Sequence, residues 1–369
     1  MSGIEVPTYR ARILSDNNEV DIQTVNSLRA DPGIEFIDVL DSQVNELVGL
    51  LPSPPPDLLS EPYAWVYYSW RRSVVRSLGP KAYRAVRLDR NRNKITREEQ
   101  DRLGKFRIGV VGLSVGHAIA YTLAMEGLCR ELRLADFDNI ELTNLNRIPA
   151  SMLDLGLNKA IVAARRIAEI DPYLSVVVYP SGVSREMMPE FVDGLDLVVE
   201  ECDSLDMKVA IRDAAIERRI PILMETSDRG LLDVERYDLE PDRKQFHGLL
   251  GDEFDFSAIS DLSPREKIPH IHRILDASEF SPRLLASFDE VGRTLSTWPQ
   301  LAGDVQLGGA SVAAAVRRIG LGEPLKSGRT RVDIEHSLDN VSEPAVSEEG
   351  SRLRRGSADS AIGPNVHTQ

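Results

Sequence analysis

Cysteine is almost missing from this chain: 369 residues carry two, Cys129 and Cys202. Two thiols cannot build a disulfide framework, nor a four-cysteine zinc site within one chain. Excess positive charge is also lacking, since 44 Lys and Arg face 58 Asp and Glu, a formal net charge of -14. That balance argues against broad nucleic-acid binding, which depends on neutralising phosphates, and leaves room for a small basic pocket holding one nucleotide. Long apolar runs are scarce. Residues 108–128 carry a single formal charge, Glu126, but Gly109, Gly112 and Gly116 interrupt them. A strand, tight turn and buried helix explain that stretch better than a membrane span. The start, Met1 to Pro7, has no basic region followed by an apolar run, so no signal peptide is expected. A soluble cytoplasmic protein with no membrane partner follows.

What is present is globular: 42% hydrophobic and 28% charged residues, near the averages for folded domains. Residues 1–100 read as a mixed α+β region. Ile34–Leu40 is expected as a strand and Gln43–Leu51 as a helix. Ala64–Leu78, rich in aromatics, is expected as an amphipathic helix, and Arg97–Leu103 as another helix. From about Lys105 to Tyr237 strands alternate with helices. Phe106–Val111, Leu132–Asp136, Leu174–Tyr179, Leu195–Glu200 and Ile220–Glu225 read as strands. Val115–Gly127, Leu157–Ile170 and Leu205–Arg218 read as helices. The alternation predicts an α/β fold, a Rossmann-like, doubly wound, mostly parallel sheet. Leu231–Tyr237 adds an antiparallel extension. An irregular acidic segment and two helices, Pro282–Trp298 and Val305–Ile319, make a C-terminal helical segment closing a 101–330 domain. Residues 337–369, poor in large apolar groups, are expected as a disordered tail.

Chemistry concentrates at element ends. Val110-Val111-Gly112-Leu113-Ser114-Val115-Gly116 follows a strand and opens a helix. Glycines there permit a tight turn and close approach of backbone to a phosphate at the helix N-terminus. The same letters fit G-x-S-x-G, which would make Ser114 a nucleophile with His247, His270 or His272 as base. The plainer reading of Ser114 is a turn residue capping the helix. Twenty-four residues after Gly112 stands Asp136, where dinucleotide folds hold a ribose hydroxyl. A NAD- or FAD-dependent oxidoreductase fits up to this point. Its fingerprint gives Asn144, Arg147, Lys159 and Asp203, all beyond element ends, no shared task.

Asp136-Phe137-Asp138, Asn144-Leu145-Asn146-Arg147, Gly156-Leu157-Asn158-Lys159-Ala160 and Cys202-Asp203-Ser204 resemble, in order and spacing, the ThiF/MoeB/HesA superfamily of ubiquitin-activating-type adenylyltransferases. The resemblance covers about a third of the chain. It implies ATP-dependent adenylation of a carboxylate by a homodimer. The usual substrate is the C-terminus of a small ubiquitin-like sulfur carrier, in molybdopterin or thiamin biosynthesis. By the same resemblance Gly112, Ser114, Gly116, Asp136, Asp138, Asn144, Arg147 and Lys159 bind ATP, with Asp136 on the ribose and Asn144, Arg147 and Lys159 on the phosphates. Asp203 holds Mg2+. Arg147, Lys159 and Asp203 are catalytic, joined by Arg92 donated across the dimer. Thr226, Ser227 and Arg229 sit where relatives hold the substrate's tail, or else form a tight turn. The terminal regions resemble the ThiF-like half of MoeY-type fusions with a nitroreductase-like domain. Paired Cys-x-x-Cys motifs are absent, so no structural zinc is expected. No cysteine follows Asp203, so catalysis would stop at the acyl-adenylate. Cys202 is expected to be a small buried residue of raised pKa. His117 reads as a packing residue, and His270-Ile271-His272 as a surface strand or turn. The remaining alternative is a nucleotide-binding scaffold without catalysis.

Overall fold

A computed structural model describes residues 8–344, apart from 252, 257–258, 260–261 and 263. The expected tail falls largely on 345–369, outside the described residues, as does the N-terminal heptapeptide. The described residues up to Val332 form one compact unit, and Ile334–Leu338 beyond it is a short helix.

Two sheets organise that unit. The smaller has the order β1 (Arg12–Ser15), β3 (Ala64–Tyr68), β4 (Ser73–Ser77), β2 (Glu35–Asp38), with only β2 and β4 parallel. Here the structure corrects the helix expected over Ala64–Leu78. Those residues form the β3–β4 hairpin, turning at 69–72 with Arg72 at φ 50°. Trp65 and Val74 fill the small core with Leu14 and Val25, an arrangement that suits β-branched and aromatic residues on a pleated surface.

The larger sheet runs β11 (Gly328–Arg331), β10 (Leu231–Glu235), β9 (Ile222–Thr226), β8 (Leu197–Glu200), β5 (Arg107–Val111), β6 (Glu131–Ala135), β7 (Ser175–Tyr179). Strands β5 to β9 are mutually parallel, and β10 and β11 add the antiparallel edge. The fold is therefore Rossmann-like α/β, as the alternation predicts. Helices cover both faces. Gly116–Met125 and Ala302–Leu321 pack with Ile108, Val110, Leu197, Val199 and Leu223 on one side. Leu205–Arg218 packs with Val198, Ile222 and Met224 on the other. Strand order reverses between β5 and β8, and α/β sheets bind ligands in the crevice at such a switch point.

Three further expectations are corrected. The helix begun at Pro282 ends at Phe288 rather than Trp298; the chain then turns at 289–295, around the Val291–Leu295 bridge. The acidic segment contains a helix, Pro264–Ile274, despite Pro269. His270 and His272 therefore lie on a helix, beside Phe254 and Phe288, rather than on a strand or turn. Among the described residues no helix is long and apolar enough to cross a membrane.

Candidate functional site

The crevice between β5 and β8 starts with Gly112 at φ +90°. A Cβ there would lie 2.3 Å from the carbonyl oxygen of Glu201, so the loop leaving β5 can cross the end of β8 only without a side chain. At Gly116 a Cβ would lie 2.8 Å from Val110 Cγ1; this glycine lets the following helix settle on the sheet. Two of the three glycine tasks of a dinucleotide turn are thus filled, and Ser114 occupies the position between them. Ser114 does not cap the helix, contrary to the plain sequence reading: the N-cap is Val115 and makes no side-chain bond. The Ser114 hydroxyl instead accepts from Arg147 Nη2 at 3.0 Å and Nε at 3.3 Å. The nucleophile reading gains no base, since His247 is held between Arg243 and Asp233.

The acid at the end of β6 is bound into the same turn. Asp136 Oδ2 accepts from Leu113 N–H at 2.7 Å, and Oδ1 from Asp138 N–H at 2.8 Å. Burial pushes its carboxyl up, against the pull of those two N–H groups and of Lys159. Lys159 Nζ donates to Asp138 Oδ2 at 2.8 Å. Beside it Asn158 does work that the sequence reading overlooked. Its Oδ1 caps the helix Lys159–Ile170 at Ala160 and Ile161 N–H. Its Nδ2 donates to the carbonyls of Asp136, Asp138 and Pro180, tying the ends of β6 and β7 to the helix start. Asn at a helix N-cap is a readable signal; the three carbonyls it joins are not.

Asn144 is buried, and its Oδ1 accepts from Glu141 N–H at 2.9 Å, closing the turn that presents Arg147. Burial pushes the Arg147 guanidinium down, and the exposed carboxylate of Asp203 opposes that shift. Residues 112, 114, 116, 136, 138, 144, 147, 159 and 203 therefore meet at one crevice. Arg92 does not join them: it pairs with Asp89 at 2.8 Å and donates to the carbonyl of Leu51. Two open clefts, of about 490 and 560 Å3, lie elsewhere, along β6–β7 and between the small sheet and Glu169. Chemistry rather than concavity marks the crevice as the candidate site.

With that geometry in view, comparison is decisive: the ThiF family matches residues 88–230. Over those residues the chain carries a ThiF-family domain. It is 58% identical over 339 residues to the protein MT1398 of Mycobacterium tuberculosis (strain CDC 1551 / Oshkosh), covering 92% of this chain and 47% of that one. It is 31% identical over 121 residues to the sulfur carrier protein adenylyltransferase of Thermus thermophilus, covering 32% and 44% of the two chains. It is 29% identical over 153 residues to the tRNA threonylcarbamoyladenosine dehydratase of Bacillus subtilis, covering 41% and 60%. The chain thus spans about half the length of these relatives. The crystal structure of the Escherichia coli tRNA N6-threonylcarbamoyladenosine dehydratase, TcdA, superposes at a TM-score of 0.45 and 19% identity, over 64% of this chain and 95% of that one.

The segment after β9 divides. Asp228 accepts from Ser281 N–H and hydroxyl, Arg229 Nη1 donates to Glu279 O, and Gly230 turns at φ +54° into β10. The hydroxyls of Thr226 and Ser227 are buried and have no hydrogen-bond partner among the described residues. Behind the crevice Glu200 is fully buried and bound by Lys208 Nζ at 2.9 Å and Arg212 Nη1 at 2.8 Å. Burial pushes its carboxyl up, but the two cations outweigh that and hold it below the usual range. Arg212 continues to Glu235, which also accepts from Tyr237. Burial and Glu200 push the Cys202 thiol well up, as expected for an unreactive cysteine. His117 is fully buried and pushed down to about 3 by burial and Arg166, so it is a neutral packing group. Glu201 and Glu225, whose carboxyl burial and Asp304 push up to about 8, had no place in the sequence reading. An acid closing an apolar strand was their only signal.

Proposed function

We propose that the chain adenylates a carboxylate at the expense of ATP and releases pyrophosphate. The substrate in this reading is the C-terminus of a small ubiquitin-like carrier protein or of a peptide, and the working form is a homodimer. The observation that carries the reading is the approach of Arg147 to Ser114 on the glycine turn, within the field of Asp203 and beside the Lys159–Asp138–Asp136 chain.

Each residue has a task that its surroundings suit. Asp136 uses one lone pair of each oxygen on backbone N–H groups and keeps acceptor capacity for a ribose hydroxyl. Arg147 and Lys159 bring positive charge to phosphate oxygens, with Arg suited to two-point contact. Asn144 holds the Arg147 turn. Asp203 is the protein ligand for Mg2+, which when bound would stabilise charge on the phosphates. Among the described residues no group of three or more His, Cys, Asp or Glu could hold a metal alone. That suits an ion carried largely on phosphate and water with one carboxylate. No general base is needed, because a substrate carboxylate is already ionised near neutral pH. Arg92 acts in the crevice of a second copy. Residues 1–100 serve as a flanking α+β region to the 101–330 adenylation domain.

The test is ATP–pyrophosphate exchange with a panel of carrier proteins and peptides, alongside thermal shift with ATP–Mg2+, AMP, NAD and FAD. Asp203→Ala and Arg147→Ala are expected to lower exchange by about 100-fold or more, and Asp136→Ala to abolish an ATP-selective shift. Unchanged exchange in both variants overturns the site. Stronger protection by NAD or FAD than by ATP favours an oxidoreductase, and ATP binding without exchange favours a scaffold.

A further inference from the structure

Asp203 lies on the loop 201–204 between β8 and the helix Leu205–Arg218, its side chain exposed and in the field of Arg147. Three hydrogen bonds pin that loop. At its start the N–H of Glu201 donates to the carbonyl of Val111 at 2.8 Å, fixing the loop against the end of β5. In its middle the N–H of Cys202 donates to Glu200 Oε1 at 2.8 Å. At its far end the Ser204 hydroxyl caps the helix by accepting from Met207 N–H. The middle pin is a side chain, and the core holds that side chain rigidly. Glu200, Lys208 and Arg212 are all buried. Lys208 Nζ donates to the same Oε1 at 2.9 Å, and Arg212 Nη1 to Oε2 at 2.8 Å. Arg212 is fixed in turn by Glu235 Oε2 at 2.6 Å and by the Phe246 ring, whose centre lies 3.9 Å from the guanidinium carbon. Lys208 and Arg212 are four residues apart, so they share one face of the helix. The chain thus leaves β8 at Glu200, passes Asp203, and is stitched back to Glu200 by the first two turns of the helix.

A buried ion cluster contributes little net stability, because desolvation offsets its Coulomb energy and apolar residues of similar volume often do as well. Apolar residues could not, however, present a fixed acceptor to the Cys202 N–H, one residue before Asp203. We propose that Glu200 is a positioning residue for Asp203: Lys208 and Arg212 clamp its carboxylate, and the carboxylate clamps the Cys202 N–H so that Asp203 meets Mg2+ on the phosphates from one fixed direction. Groups behind a metal ligand that fix its orientation commonly govern metal affinity in this way. Glu200 touches neither ATP nor substrate; it acts through the backbone of the loop. That assignment rests on the adenylation reading, which gives Mg2+ to Asp203. Two properties of Glu200 separate this task from packing alone. Its reach serves the Cys202 N–H, and its charge serves the buried cations.

The experiment compares Glu200→Asp, which keeps the charge but is one methylene too short for the Cys202 N–H, with Glu200→Gln, which keeps the reach and an acceptor oxygen but loses the charge. In the full chain it reads the calorimetric affinity for ATP with Mg2+ and with EDTA, Tm, and amide hydrogen exchange of residues 201–204. Glu200→Asp is expected to lose about tenfold or more of the gain in ATP affinity that Mg2+ brings, and to leave the affinity in EDTA unchanged. It should also speed exchange in 201–204 while β8 stays protected. Glu200→Gln is expected to keep most of the Mg2+-dependent gain while lowering Tm further than Glu200→Asp does. If Glu200→Gln does not fold, Glu200→Asp, which retains the ion cluster, still decides. A native gain and native exchange in Glu200→Asp overturn the proposal, as does a loss of the gain that follows Tm across both variants. Failure of the adenylation reading shows separately, in the native chain: ATP affinity indifferent to Mg2+, or a gain that survives Asp203→Ala, leaves Glu200 nothing to position.

Discussion

Glu225 and Glu200 show how one residue type takes opposite protonation behaviour a few ångströms of fold apart. Cations at Glu200 keep its charge in a buried place; at Glu225 burial and Asp304 raise the carboxyl to about 8. Below the ordinary carboxylate range both folded and unfolded chains hold the Glu225 proton. Between that range and about pH 8 only the folded chain holds it, so this residue's contribution to stability falls as pH rises through that window and levels off above it. At roughly 1.4 kcal/mol per unit of pKa the effect reaches a few kcal/mol. Glu225→Gln is therefore expected to match the native Tm near pH 5 and exceed it near pH 8 in melts across that range. Parallel curves for the two proteins would mean that Glu225 titrates normally. No residue pattern marks the difference between the two acids, because both simply end an apolar strand.

At the scale of elements, the site depends on how β6, β7 and the helix Lys159–Ile170 are joined, and Asn158 is the joint. Its side chain combines an N-cap with three bonds to carbonyls. Asn158→Ala is expected to cost about 1–3 kcal/mol in denaturant melts, the N-cap contribution with a buried polar set left open. Asn158→Asp keeps the cap but turns a carboxylate toward three carbonyl oxygens, so it should rescue little of that loss; full rescue would show that capping alone matters. The parallel strands and their helices were legible to within a few residues, since buried α/β elements carry strong apolar patterning. The β3–β4 hairpin was not. Aromatic and β-branched residues packed in a short half-buried sheet leave a pattern easily mistaken for one face of a helix, and only pairing with β1 and β2 separates the two.

Across the whole molecule, the small sheet and its helices grip the Rossmann-like body through a few charged and aromatic contacts. Arg87 reaches Asp171 at 2.8 Å and the carbonyls of Ala124 and Met125 at the end of the helix Gly116–Met125. Trp70 and Arg71 hold Glu169, and across the same seam the Tyr83 hydroxyl donates to the carbonyl of Ile170 and the Tyr173 hydroxyl to that of Leu78. Arg87→Ala is expected to speed amide exchange several-fold in residues 12–77 while β5 and β8 stay protected; uniform protection would mean the seam holds without it. The sequence alone determined the α/β class and the ThiF match over residues 88–230, because each rests on local patterning and on motifs with fixed spacing. Tertiary structure alone decided which polar groups meet: Arg147 with Ser114, Asn158 with three carbonyls, Glu201 with the Glu225 N–H. Those partners lie tens of residues apart, and strand order and the facing of each side chain bring them into contact.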